Sequence, residues 1–182
     1  MLWYGIHWDK IMTVRAYVAH AMTSRTGNVL WSESESVLNV FSKYHISVYD
    51  PVIIENIPRI DEPVPNKPGK DGLHAWNNDK LAIRRSHVLV DVTPELKSEG
   101  VHRELGYSRF FLWKPTIRVY KPGSDPHMVT IFEDDVITFS LEDAAQIINE
   151  RWGTWPKRII WRLKMLVISL PKFLLYQIQE FK

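Results

Sequence analysis

Three residues with chemistry to offer stand on one short run: Ser98, Gly100 and Glu104, in Ser98-Glu99-Gly100-Val101-His102-Arg103-Glu104-Leu105-Gly106-Tyr107. The β-branched stretch Val88-Leu89-Val90-Asp91-Val92-Thr93 precedes them and reads as a buried strand. A helix that opens after such a strand sits at the carboxyl edge of an α/β sheet, where ligands bind. A hydroxyl at the amino end of that helix, with the helix dipole behind it, attracts an anion. It equally caps the helix, and the two roles use the same helix end. Glu104 lies further along the helix, either as a reacting carboxylate or as an ordinary surface acid.

The elements that must position these residues follow from periodicity. Residues 14–22 read as a first buried strand, and Ser24-Arg25-Thr26-Gly27-Asn28 is turn chemistry. Leu30, Val37, Leu38 and Phe41 give a helical period to about Lys43. Ile46-Ser47-Val48-Tyr49 is a short second strand. Pro51 to Gly72 holds five prolines and is expected to be a long irregular loop. A helix is expected over 74–86, with Trp76, Leu81 and Ile83 facing inward. A helix over 99–112 should bury Val101, Leu105, Ser108 and Leu112. Strands at 115–120 and 136–139 follow, then a helix from Ser140, its cap, to about Trp152. Alternating strands and helices make an α/β domain with a mainly parallel sheet of about five strands.

Composition narrows the chemistry. The 182 residues suit one compact domain. The chain has no cysteine, which excludes disulfides, thiolate zinc sites and cysteine nucleophiles and fits a reducing, cytoplasmic setting. The seven histidines show no metal-site spacing, and neither a P-loop nor Gly-x-Gly-x-x-Gly is present. No metal and no cofactor is expected. The aromatic start, Met1 to Trp8, lacks the basic residues and long apolar core of a signal peptide. Met12 offers an alternative start, so residues 1–13 read as an extension of a domain over 14–152.

The chain resembles the nucleoside 2-deoxyribosyltransferase superfamily over roughly residues 14–121, and within it the branch of (deoxy)nucleoside 5'-monophosphate N-glycosidases. The resemblance rests on Tyr17 at the end of the first strand, on Asn77-Asn78-Asp79 before the third, and above all on Ser98 to Tyr107 with its Glu-Leu-Gly-Tyr. It implies a Rossmann/flavodoxin-like three-layer sandwich. It implies Glu104 as the nucleophile that attacks the anomeric carbon and forms a covalent glycosyl-enzyme. Asp79 would contact and help protonate the leaving base, and Tyr17 would orient Glu104. Ser98 stands where transferases of free nucleosides carry a carboxylate and monophosphate hydrolases carry a serine. A carboxylate there would repel a phosphate. Ser24, Arg25 and Gly27 match the family's phosphate-side loop, and an arginine among small residues suits a phosphate. Gly100 and His20 complete the substrate-binding set, although His20 is of a type more often satisfied structurally.

The chain departs from the family in places. Ala19-His20-Ala21-Met22 is poorer in glycine than the usual first loop. His102 and Arg103 replace smaller or apolar residues, and Glu99 adds a charge beside the phosphate position. The expected activity is hydrolysis of the base–sugar bond of a nucleoside 5'-monophosphate. Base exchange by a deoxyribosyltransferase, and sequestration of a nucleotide without turnover, are the alternatives.

The last part of the chain differs in charge. Residues 151–182 carry seven Lys/Arg against one acid, while the rest carries sixteen basic and twenty acidic side chains. Basic and bulky apolar residues interleave over 157–181, and Arg162, Lys164, Pro171 and Lys172 argue against a membrane-spanning helix. Residues 153–182 therefore read as a basic amphipathic helical tail. It would pack on the body or a second subunit of a homodimer or larger homo-oligomer, or lie on an anionic membrane surface. No nucleic-acid partner is expected, because the basic residues fall in no recognised module.

Overall fold

The computed structural model describes residues 13–22, 25–65, 69–96, 98–124, 126, 136–154, 156–161 and 163–164. Five strands make one sheet: β1 (Arg15–Ala19), β2 (Ser47–Tyr49), β3 (Val88–Asp91), β4 (Thr116–Val119) and β5 (Val136–Thr138). Their order is β2-β1-β3-β4-β5 and every pairing is parallel. The helices are α1 (Gly27–Lys43), α2 (Pro51–Ile54), α3 (Gly69–Arg85), α4 (Glu99–Gly106) and α5 (Leu141–Trp152). A π-helical turn, Tyr107–Phe111, continues α4. This is the expected α/β architecture of Rossmann/flavodoxin-like type.

The two faces of the sheet are covered differently. Ala16, Val18, Val88, Val90, Ile117 and Val119 pack against α1 and α5, through Val37, Phe41, Ala144, Ile148 and Trp152. The alternate residues Tyr17, Ala19 and Leu89 face α3 and α4, through Ala82, Ile83, Val101 and Leu105. Period-two alternation thus assigns each strand residue to a layer. β1 lies between β2 and β3, so the chain reverses its direction of sheet growth there. The carboxyl ends of β1 and β3 border the crevice where such sheets hold ligands.

Several expectations need correction. Pro51 to Gly72 is not one irregular loop. Asp50 caps α2 by accepting from Val52 N at 2.9 Å, with Pro51 at the first helical position, and α3 already runs from Gly69. Proline at a helix start removes no needed donor, which is why its density misled. Leu81 is 45% exposed; Ala82 and Ile83 carry the inner face of α3, and Trp76 is half-buried. The helix expected over 99–112 changes to a π turn after Gly106, although Ser108 is buried and Leu112 half-buried as expected. Tyr17 stands in the middle of β1, not at its end.

At the amino edge of the sheet, the buried Lys114 ammonium donates to the carbonyls of Ile83, Arg84 and Ser86, closing the end of α3. The start of the basic tail packs close by. Residues 156–161 are helical. Trp161 stacks edge-on against Trp152 at 5.3 Å, and an Arg158 Nη lies 3.1 and 3.2 Å from the two ring nitrogens of His87. Residues 165–182, and with them most of the tail, lie outside the described residues. Among the described residues no helix is long and apolar enough to cross a membrane.

Candidate functional site

Glu104 sits on the inner side of α4 because it shares a helical stripe with Val101, Leu105 and Ser108, all buried. The stripe that anchors the helix therefore carries a carboxylate inward. Glu104 is 7% exposed, and its Oε2 is buried without a hydrogen-bond partner. Tyr17 comes up from β1 on the same sheet face, fully buried, its hydroxyl also without a completed hydrogen bond. Asp79, half-buried on α3, adds a second carboxylate. Two acids and a phenol from three elements thus meet over the sheet.

Their electrostatics reflect that crowding. Burial, then the charge of Asp79, pushes the Glu104 carboxyl well above the usual carboxylate range, against the pull of the Tyr17 hydroxyl. Burial, then the Glu104 and Asp79 charges, pushes the Tyr17 phenol up, so it is a neutral donor. The Asp79 charge thus adds to burial in holding the proton on Glu104.

Ser98 caps α4, its Oγ accepting from Val101 N at 3.4 Å. Gly100 is exposed, and a Cβ there would meet only Ser98 Oγ, at 3.7 Å. Among the described residues nothing demands a glycine at that position. The amino end of α4 is thus open to an approaching group.

The residues expected to form a phosphate loop are engaged elsewhere. Ser24 lies outside the described residues. Arg25 is held by both carboxylate oxygens of Glu33, through Nη1 at 2.7 Å and through Nη2. Gly27 is the first residue of α1 and is buried; a Cβ there would stand 1.8 Å from the Pro58 carbonyl oxygen. Its lack of a side chain lets the segment at 58–60 cross over α1, where Asn28 N donates to Ile60 O at 3.2 Å. Gly27 therefore faces backbone and not an open cradle.

His20, just past β1, is buried between two acids. Its Nε2 lies 3.0 Å from Asp50 Oδ2 and its Nδ1 3.6 Å from Glu33 Oε2. Burial opposes the cation, but the bonds to Asp50 and Glu33 outweigh it and raise its pKa to about 8. The Glu33 carboxyl, despite burial, is lowered to about 2 by His20 and Arg25. Arg25, Glu33, His20 and Asp50 form one chain of alternating charge between α1 and the ends of β1 and β2.

Sequence reading missed Glu33, Asp50, Asp91, Thr93 and Arg118. Asp91, the last residue of β3, accepts from Thr93 N at 3.0 Å and lies 4.0 Å from an Arg118 Nη. Thr93 Oγ1 accepts from Ala21 N at 2.8 Å, which ties the loop after β1 to the loop after β3. An aspartate closing a strand of valine and leucine was the available signal. Among the described residues no group of three acidic, histidine or cysteine side chains is placed to hold a metal ion.

No protein-family model and no curated protein matches the sequence. Solved structures do share the fold. One is a 2-deoxyribosyltransferase from the psychrotolerant bacterium Bacillus psychrosaccharolyticus, 18% identical, with a TM-score of 0.52 over 72% of this chain and 90% of the other. Another is a conserved protein from Enterococcus faecalis V583, 16% identical, with a TM-score of 0.55 over 76% of this chain and 99% of the other.

Proposed function

We propose that this chain is an enzyme of the nucleoside 2-deoxyribosyltransferase-like superfamily that cleaves the base–sugar bond of a nucleoside 5'-monophosphate. The observation that carries the reading is the buried, unpartnered Oε2 of Glu104 beside the Tyr17 hydroxyl and the Asp79 carboxylate. The name of the Bacillus fold neighbour agrees with chemistry at a nucleoside.

In the reactive form the proton that burial favours on Glu104 has passed to Asp79, which leaves Glu104 as the carboxylate. The Glu104 carboxylate attacks C1', a C1'–O bond forms, and the C1'–N bond breaks with its electron pair leaving on the base. Asp79 gives its proton to that base. Water then attacks C1', passes a proton to Asp79, and Glu104 leaves as a carboxylate. Tyr17, a neutral donor, steadies the charged form of Glu104 before attack and after release. The cap at Ser98 and the open backbone at Gly100 receive the 5'-phosphate at the helix amino end. Arg25 reaches that phosphate by exchanging Glu33 for it.

A second reading, base exchange, replaces water with an acceptor base. It is favoured by the engagement of Arg25 with Glu33, which occupies the cation expected at the substrate's 5' end. We propose further that the chain forms a homo-oligomer through the aromatic face beside α4, a reading supported by Phe110, 60% exposed, and Phe111, 74% exposed. Peripheral membrane contact by residues 157–181 is a separate proposal, testable by vesicle co-sedimentation.

The deciding experiment is a screen of nucleoside 5'-monophosphates and free nucleosides for base release, with and without an acceptor base, using wild type and Glu104→Ala. Base release from monophosphates alone, lost in Glu104→Ala, is the expected result. Cleavage of free nucleosides with monophosphates ignored would overturn the phosphate assignment. Full activity in Glu104→Ala would overturn the mechanism.

A further inference from the structure

Beneath the Glu104 helix lies a pair of buried charges that the reaction as written does not use. Asp91 closes β3 and Arg118 stands beside it on β4, in register. Asp91 is 1% and Arg118 3% exposed. Strand alternation orients both. Leu89 packs toward α4, so Asp91, two residues on, points the same way. Ile117 and Val119 pack toward α1 and α5, so Arg118 between them points toward α4. A buried ion pair is no more stabilising, as a rule, than apolar side chains of similar volume. Its position under the proposed nucleophile is therefore the informative fact.

We propose that Asp91 and Arg118 are a positioning pair that sets the charge of Glu104. This rests on the reading of Glu104 as nucleophile. With Asp91 ionised, a second negative charge stands on the sheet below Glu104 and holds its proton on. With Asp91 protonated, the Glu104 carboxyl loses that repulsion and gives up its proton more readily, against the burial and the Asp79 charge that remain. Glu104 is also faced by Tyr17 from β1 and Asp79 from α3, and it feels Glu55. Asp91 is faced by Arg118 from β4 and by the Thr93 N–H, and it feels Glu95 and His20. Burial raises the Asp91 carboxyl to about 6, against the pull of Thr93 and Arg118. Its titration thus falls in the range where a coupled partner would respond.

The test is a carbon-13 NMR titration of side-chain carboxyls in the unliganded protein, alongside the pH profile of base release. In Asp91→Asn the Glu104 midpoint should fall by about half a pH unit or more, with the acid limb of kcat/KM moving the same way. In Arg118→Gln the Asp91 midpoint should rise above about 6, and the inflection it leaves in the Glu104 curve should move with it. A folded Asp91→Asn protein with an unmoved Glu104 midpoint overturns the proposal. If Asp91→Asn does not fold, an Arg118→Gln protein whose Glu104 curve ignores the displaced Asp91 step does so instead. A wild type that releases no base, but shows the coupled titration, would fault the reaction and leave the pair standing.

Discussion

Arg25 and Glu33 grip each other through two guanidinium nitrogens and both carboxylate oxygens, across the first turns of α1. An arginine held in this way reaches a phosphate only by giving up its partner. Glu33→Gln weakens the grip while keeping the side chain's size. If Arg25 serves the phosphate, this variant should lower KM for a monophosphate by about three- to tenfold, the weight of a partly exposed charge-assisted pair. The KM for a free nucleoside should not move. Steady-state kinetics on both substrates decide the matter, and equal KM values in variant and wild type would make Arg25 a structural residue.

His20 and Asp50 give the fold a pH signature. The folded-state pKa of His20 lies above its ordinary 6.5, at about 8. The folded state therefore holds this proton more tightly than the unfolded chain does. The associated stability is complete below about pH 6.5 and is lost as pH rises through about 8, amounting to about 2 kcal/mol. Urea unfolding at pH 6 and pH 9 should show that loss. Asp50→Asn, which still caps α2, should flatten it. A wild type equally stable at both pH values would contradict the pairing.

Tyr17→Phe separates function from stability. The hydroxyl is buried without a completed hydrogen bond, so its removal should leave stability unchanged or raise it by about 0.5–1 kcal/mol. Base release should nevertheless fall by about 10- to 100-fold, because the Glu104 carboxylate loses its donor. A loss of both together would mark Tyr17 as core only. Calorimetry and single-turnover kinetics on one sample give the comparison.

Gly27 and Gly100 should respond in opposite ways to alanine. At Gly27 the new methyl collides with the Pro58 carbonyl, so the segment at 58–60 must lift, at a cost of about 1–3 kcal/mol. At Gly100 the methyl has room, and stability should hold. If a ligand's phosphate approaches the open end of α4, Gly100→Ala should instead raise KM for the monophosphate. Melting temperatures and KM values for the two variants form the check, with an unaffected KM in Gly100→Ala counting against the binding role.

The parts of this molecule that sequence made legible are those governed by local rules. Val88 to Asp91 announces a strand by its own side chains, and Ser98 and Ser140 cap the helices that follow them. The stripe of Val101, Leu105 and Ser108 was legible as the buried face of this helix, whereas Glu104 beside it read equally well as a surface acid, and only the folded chain shows it buried. The turn to π-helix at Tyr107 was hidden because Ser108, buried, and Leu112, half-buried, keep an α-helical spacing. Leu81 and Ala82 exchanged roles because the small alanine packs where helix and sheet approach closely, which size-blind periodicity cannot sense. Arg118 and Asp91 meet by cross-strand register, and Arg25 is claimed by a glutamate on α1. Those partnerships depend on how the chain folds back on itself.

The all-parallel order β2-β1-β3-β4-β5 has a consequence for how the molecule assembles in time. No strand meets its neighbour through a tight hairpin, so every pairing waits for a crossover to form, and folding should be slow for a chain of this size. Tyr17, Asp79 and Glu104 all belong to the portion synthesised before β4. Asp91 is made in that portion too, whereas Arg118 arrives only with β4. During synthesis these three side chains can gather over β1 and β3 while the cation beneath them is still missing. Pulse-labelled hydrogen exchange should find β1 and β3 protected first, with the last gain in protection coinciding with the docking of β4.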